Sequence, residues 1–260
     1  MNTLMASARR SGALIERNIA VYRRIPWTIL SGFLEPVFYL FSLGIGVGAL
    51  VKATFEVDGT PMSYALFVAP AMMANAAFVG AVTESVFNFF GKMKFARLYD
   101  AVLATPVQPL EIAAGELTFA LARGGLYSAA FLALMSTMGL VTSWWALAAL
   151  PAALLVGMAA GGLGLAVSTF LRGWQDFDYV GGMLGVLFLF SGTFAPLELY
   201  PTWAQWLIQA TPLYHGVELI RGLTTGHVHP GLLVHVAYLL ALGALGLWVA
   251  SRRMTKLLLR

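Results

Sequence analysis

The sequence predicts an all-α integral membrane protein of six transmembrane helices, and three observations carry that prediction. First, 59% of the 260 residues are hydrophobic and only 11% are charged, with a mean hydropathy of +0.79, far from globular averages. Second, the apolar residues come in long blocks almost free of charge, each near the ~20 residues that a helix needs to cross about 30 Å of hydrocarbon. Third, the basic residues collect in alternate connecting segments. The chain reads as one transmembrane domain over residues 1–260. It has no cysteine, which excludes a disulfide framework, a thiolate nucleophile and a cysteine metal cluster.

Residues 1–24 are too polar for the membrane core. At about 100° per residue, Leu4, Ala8, Ile15, Ile19 and Tyr22 share one narrow sector, and Arg9, Arg10, Arg17, Arg23 and Arg24 occupy the opposite side. This pattern predicts an amphipathic helix on the membrane surface. A cleaved signal peptide does not fit, because the basic region is long and the next apolar block outruns an h-region of about 7–15 residues.

The first span is expected from Trp27 to Val51, with Glu35 as its only charge and Pro36 bending it. A polar loop with Lys52, Glu56 and Asp58 follows. The second span covers about Tyr64 to Phe90, is interrupted by Pro70 and carries Glu84 near its end. Residues 91–111 then become charged, and Lys92, Lys94, Arg97, Asp100, Pro106 and Pro109 make a short helix, a stop and a restart. The third span begins near Ile112, with Glu116 and Arg123 in its early turns, and is apolar from Gly124 to about Thr142. A tight link at Ser143, with Trp144 and Trp145 as interfacial anchors, leads to a charge-free fourth span ending near Leu171. Its Gly157-x-x-x-Gly161 spacing permits close helix packing.

Arg172, Asp176 and Asp178 form a polar turn before the fifth span, expected to reach Leu197. Residues 198–229 mix Pro201, Trp203, Trp206, Pro212, Glu218 and Arg221. They are too polar for a span and too apolar for a free loop, so they predict one or two short re-entrant helices on the outer side. The sixth span runs from Gly231 to Ala250, and the tail carries Arg252, Arg253, Lys256 and Arg260.

Charge then sets the topology. With the N-terminus in the cytoplasm, the inside collects the arginines before the first span, Lys92, Lys94, Arg97, Arg172 and the basic tail, while the outside keeps Lys52 and Arg221. Both termini are therefore expected in the cytoplasm, and the pI near 9.5 needs no nucleic acid to explain it. No internal repeat is visible, so the inverted-repeat construction of many secondary transporters finds no support.

The ionisable residues expected within the membrane are Glu35, Glu84, Glu116, Arg123, Asp178 and His235. Glu116 and Arg123 lie seven residues apart on one helix face, placed to pair with each other or with Glu84 of the neighbouring span. Two readings are open: a structural ion pair, or Arg123 or Glu84 forming a cytoplasmic gate or meeting an anionic headgroup. Glu35 is expected to face the bundle interior or a water-filled path. His215 and His235 read as satisfied polar groups. His227 and His229 lack a third ligand, and no metal site is expected. Phe194, Tyr200, Trp203 and Trp206 are placed to stack on a departing sugar or lipid, or to serve as interfacial anchors. Gly91-Lys92 is the only Gly-Lys pair and lacks both the upstream glycine and the following Ser or Thr of a phosphate-binding loop, so this chain is not expected to hydrolyse ATP.

Two stretches carry a family resemblance: FARLYDAVLATPVQPLEIAAGEL from Phe95, and LFSGTFAPLELYPTWAQWLIQATPLYHGVELIRGLTTG from Leu189. Together with six spans and an amphipathic N-terminus, the chain resembles the ABC transporter type-2 permease family, in the branch of nodulation protein J and the daunorubicin-resistance permeases. The resemblance covers essentially the whole chain. It implies a half-transporter of the bacterial plasma membrane, in which two permeases, identical or homologous, join two separate ATP-binding subunits. Those subunits would hold ATP and Mg, and this chain would hold no cofactor. It also implies a coupling helix at about Lys92–Ala104, closed by Thr105-Pro106, with Lys94, Phe95, Arg97, Leu98, Asp100 and Val102 meeting the ATP-binding subunit. The implied cargo is amphipathic: a lipid-linked glycan, a glycolipid or a hydrophobic drug moved outward. Two other classes remain open at this point: an ion-coupled secondary transporter using Glu35, Glu84 and Arg123, and a membrane-embedded enzyme acting on lipids.

Overall fold

The computed structural model describes residues 2–24, 27, 34, 37–48, 55–57 and 60–258. Glu35, Pro36, Lys52 and Asp58 lie outside the described residues. Helix α1 spans Asn2–Arg23, and Leu40–Val47 is a π-helical segment. Strands β1 (Phe55–Val57) and β2 (Thr60–Met62) pair antiparallel, with Phe55 opposite Met62.

Helix α2 (Tyr64–Val82) starts at Ser63, whose side chain accepts from the Leu66 N–H. It runs on through π-helical turns at Thr83–Asn88 and Gly91–Phe95, giving one helix of 32 residues from Tyr64 to Phe95. Pro70 does not interrupt it; packed neighbours can absorb a missing backbone donor in a buried helix. The helix also outruns its expected end at Phe90, because Met93 is still buried and anchors one more turn. The expected Lys92–Ala104 helix is therefore two elements. Its first residues extend α2, and only α3 (Leu98–Leu103) is separate, beginning after Arg97 in a left-handed conformation (φ 44°, ψ 34°).

Helix α4 (Pro109–Thr137) starts three residues before the expected Ile112. Pro109 occupies the first turn, where a missing N–H costs nothing. Gln108 and Glu111 form a capping box, in which the Gln108 N–H donates to the Glu111 carboxylate at 2.9 Å. A 3₁₀ turn at Trp144–Ala148 leads into α5 (Ala149–Ser168). Helix α6 (Asp176–Leu189) has 14 residues, about 21 Å at 1.5 Å per residue, against about 30 Å of hydrocarbon. The fifth span expected to reach Leu197 stops early because Gly192, at φ +68°, turns the chain. Helices α7 (Thr202–Gln209) and α8 (Pro212–Thr225) follow, and α9 (Leu232–Leu258) closes the fold.

Among the described residues, four helices are long and apolar enough to cross a membrane: Tyr64–Phe95, Pro109–Thr137, Trp144–Ser168 and α9; much of the expected first span, 27–51, lies outside the described residues. Helix α2 is central, with 78% of its apolar window buried against 22% for α9. The bundle's outer face is correspondingly apolar: Leu126, Tyr179, Met183, Leu233, Val234, Leu240, Leu245 and Trp248 are all exposed, a surface suited to lipid rather than water.

Glycines set the closest packing. A Cβ at Gly162 would sit 2.6 Å from the Gly243 oxygen, and one at Gly246 would meet the Gly162 oxygen at 2.6 Å, so α5 and α9 touch backbone to backbone. The Gly157 and Gly161 pair highlighted by the sequence instead receives the side chains of Leu121 and Leu117 from α4.

Candidate functional site

The chain reversals bring α1, α3, the 169–178 turn and the end of α9 to one end of the bundle, which also carries Arg10, Arg17, Lys92, Lys94, Arg97, Arg172 and Arg253. At this basic end lies a buried polar junction. The π-helical turns of α2 supply Glu84, Asn88 and Lys92; α4 supplies Glu116, Arg123 and Tyr127; α1 supplies Asn18 and Tyr22; α3 supplies Tyr99. π-helical turns are often found at functional sites. Here they put three polar groups of one helix, Glu84, Asn88 and Lys92, within reach of the same partners.

The junction is two linked ion pairs. Arg123 donates to Glu84 at 2.8 Å, and Lys92 donates to Glu116 at 2.6 Å. Lys92 also lies 3.5 Å from the other Glu84 oxygen, which joins the two pairs. Around Glu84, the Tyr22 hydroxyl donates at 2.7 Å and the Asn88 amide at 2.8 Å. That hydroxyl accepts from Asn88 at 2.9 Å and from Arg123 at 3.0 Å. Arg123 also donates to the Tyr127 hydroxyl at 2.9 Å and lies over the Tyr22 ring. Glu116 receives the Tyr99 hydroxyl and the Asn18 amide, each at 3.0 Å. Glu84 and Glu116 are almost fully buried, at 1% and 2% exposure. Two carboxylates against two cations leave the cluster formally neutral, the condition under which buried charge is tolerable. Burial, reinforced by the neighbouring carboxylates, raises the Tyr22 and Tyr99 phenols above their ordinary value, so both stay protonated donors.

Helix α1 is clamped to this junction. Its buried face is Leu14 and Asn18, not the Ile15 and Ile19 sector, and Ile19 is exposed. Arg10 grips Glu111 through two bonds at 2.8 and 2.5 Å, and Ser11 donates to the Glu111 carbonyl at 3.1 Å. Gly115 lets α1 lie close, since a Cβ there would meet the Ser11 oxygen at 3.0 Å. The helix thus has two working faces, an apolar one left open and a polar edge on the protein.

Of the residues singled out in the sequence, Glu84, Glu116 and Arg123 meet in the junction, while Glu35 is outside the described residues. Arg123 pairs with Glu84 rather than with Glu116. In the α2–α3 segment, Lys94, Phe95, Arg97 and Asp100 are exposed, whereas Leu98 and Val102 are half-buried against the core. Phe95 stacks on Trp174 (ring centroids 4.9 Å apart, 11° between planes), tying the segment to the 169–178 turn. Near the other end of the bundle, Phe194 packs edge-on against Phe188, Tyr200 approaches Phe190, and Trp203 lines a cavity of about 360 Å³ against α6. Trp206 is exposed and lines no part of that cavity. His227 bonds Thr225 and His229 bonds the Gly231 N–H; no group of three metal-ligating side chains occurs among the described residues.

Asn18, Asn88, Lys92 and Tyr99 were not legible as site residues, although Asn18 borders the apolar sector of α1 and Tyr22 lies within it, an unusual place for hydrogen-bonding groups. Arg221 was read as an outer-loop charge and is in fact buried. It donates to Glu218 at 2.5 Å, to the Gly192 carbonyl at 2.7 Å and to the Phe67 carbonyl at 3.3 Å, stapling α8 to the turn after α6 and to α2.

Comparison with known proteins agrees with this architecture. The model of the family described as ABC-2 type transporter matches residues 10–224. The chain is 31% identical over 253 residues to nodulation protein J of Rhizobium leguminosarum bv. trifolii, covering 93% of this chain and 94% of that protein. It is 32% identical over 244 residues to nodulation protein J of Sinorhizobium fredii, covering 89% and 91%. The nodulation protein J of Bradyrhizobium diazoefficiens is 27% identical over 261 residues, covering 100% and 98%. A membrane-spanning bundle with these matches along almost its whole length belongs to the ABC-2 type transporter family, as a membrane permease.

Proposed function

We propose that this chain is the membrane half of an ATP-driven exporter that moves an amphipathic cargo outward across a bacterial plasma membrane. Two permeases, identical or homologous, would work with two separate ATP-binding subunits, which hold ATP and Mg. Both termini and the basic end would face the cytoplasm, in keeping with the positive-inside rule. The observation that carries the reading is the junction: Tyr99 on α3 is bonded to Glu116, which is linked through Lys92 and Glu84 to Arg123 and Tyr22. A push on α3 from a partner would reach α1, α2 and α4 through hydrogen-bonded side chains rather than loose loop. Lys94, Phe95, Arg97 and Asp100 are exposed on that segment and form the proposed docking surface. Leu98 and Val102 would support it from beneath.

The test is to purify the chain with the products of neighbouring genes. A stoichiometric ATP-binding partner, with its ATPase lost in a Lys94→Glu, Asp100→Lys variant that still inserts and stays monodisperse, supports the proposal. Cargo transport by the isolated chain in liposomes under an ion gradient alone would overturn it in favour of an ion-coupled carrier.

A further inference from the structure

A cavity of about 720 Å³ lies between α2, α5 and α6, within the size range of ligand pockets of about 300–1,000 Å³. Phe78, Val82, Leu163, Val167, Met183 and Leu187 give it an apolar wall. It begins at the basic end, where Arg172 and Asp176 line it, and extends along α6 as far as Leu187. Those eleven helical steps correspond to about 16 Å at 1.5 Å per residue, close to one leaflet's share, about 15 Å, of a 30 Å hydrocarbon core. An acyl chain entering from the leaflet at the basic end fits that depth.

The polar groups at the mouth are not equivalent. The Asp176 carboxylate is taken up by backbone, accepting from the Arg172 N–H at 2.6 Å and the Gly173 N–H at 3.3 Å. The Arg172 side chain is exposed and has no carboxylate within ion-pairing distance among the described residues. Beside it, Arg253 lies 3.5 Å over the ring of Phe170, which also lines the cavity, and is held there by bonds to Thr169. Asp178 is exposed nearby but does not line the cavity. An apolar slot one leaflet deep, with an uncommitted guanidinium at its rim, is matched to a tail with a phosphate at its head.

We propose that this cavity is a phospholipid-binding site, which takes an acyl chain between α2, α5 and α6 and holds the lipid phosphate on Arg172. The site concerns the single chain and stands whether or not an ATP-binding partner is found.

The full chain in nanodiscs of phosphatidylglycerol and phosphatidylcholine is photolabelled with phosphatidylglycerol carrying a diazirine on its acyl chain, and the labelled peptides are mapped by mass spectrometry. A diacylglycerol probe with the same tails lacks the phosphate. The expected result is phosphatidylglycerol labelling concentrated between Leu163 and Leu187, and lowered roughly tenfold by Arg172→Gln, the size expected for losing a charge-assisted hydrogen-bonded contact. Diacylglycerol labelling should be weaker and unchanged by that substitution. Met183→Trp, on an exposed lining position, should lower labelling by both probes. Arg172 is exposed, so Arg172→Gln folds even where Met183→Trp does not. Labelling of α9 equal to that of residues 163–187, or labelling indifferent to Arg172→Gln, would each overturn the proposal.

Discussion

Removing the guanidinium of Arg123 tests whether the buried junction behaves as a single electrostatic unit. At 2.8 Å and an effective dielectric constant of about 20, the gross Arg123–Glu84 attraction is about 6 kcal/mol, and the 3.5 Å Lys92–Glu84 contact is worth about 5 kcal/mol. These are upper figures, because each buried ion also gave up hydration worth several kcal/mol. In Arg123→Met, Glu84 retains the Tyr22 and Asn88 donors and a share of Lys92. The loss should therefore fall near the lower end of the about 3–5 kcal/mol expected when one partner of a buried pair is removed. Lys92→Met leaves Glu116 with Asn18 and Tyr99 alone and should cost a similar amount.

The double variant strips both carboxylates of their cations, so its destabilisation should exceed the sum of the singles by more than about 1 kcal/mol. Adding Glu84→Gln to Arg123→Met removes the uncompensated charge and should recover part of the loss. The assay is an unfolding titration with SDS in mixed micelles, followed by tryptophan fluorescence. Additivity of Arg123→Met and Lys92→Met within about 0.5 kcal/mol, or no recovery from Glu84→Gln, would refute the single-unit picture.

Four further outcomes follow from the same geometry. Tyr22→Phe deletes a hydroxyl with three partners and should cost about 1–3 kcal/mol; because that hydroxyl ties α1 to α2 and α4, trypsin should also cut faster at Arg23 and Arg24. Arg97→Gly replaces a left-handed non-glycine residue and should raise the melting temperature by relieving strain of about 1 kcal/mol or more, whereas Arg97→Val should lower it. Gly162→Leu must separate α5 from α9 and should cost at least the about 1–3 kcal/mol of ordinary overpacking, read as loss of monodisperse protein on size exclusion. Arg221→Met leaves the Gly192 carbonyl and Glu218 without their guanidinium and should loosen the α8 segment, seen as faster hydrogen exchange over residues 212–225.

The long helices were legible because a bilayer allows few alternatives: a charge-free run of ~20 residues has to be a helix that satisfies its own backbone. The limits of that rule explain the misplaced ends. Helix α2 continues past Phe90 because Met93 is buried in the folded chain, and helical periodicity carries no information about which turn the fold will cover. Helix α6 stops at Leu189 because Gly192 adopts a positive φ within an apolar stretch, and hydropathy does not register a backbone turn.

The site was legible to a different depth. Buried charge is costly enough that Glu84, Glu116 and Arg123 stand out in apolar surroundings wherever they pack. Their partners do not stand out, since Asn18, Asn88 and Tyr99 are ordinary residues of a polar helix or loop until the fold buries them. Lys92 shows the difference most clearly. In the sequence it belongs with Lys94 and Arg97 as one of three loop cations. The π-helical extension of α2 turns it inward to Glu116 and leaves Lys94 outside. One helical segment thus divides a uniform basic run into a buried counter-ion and an exposed surface. That division lets the same few residues both neutralise the junction and present charge to a partner.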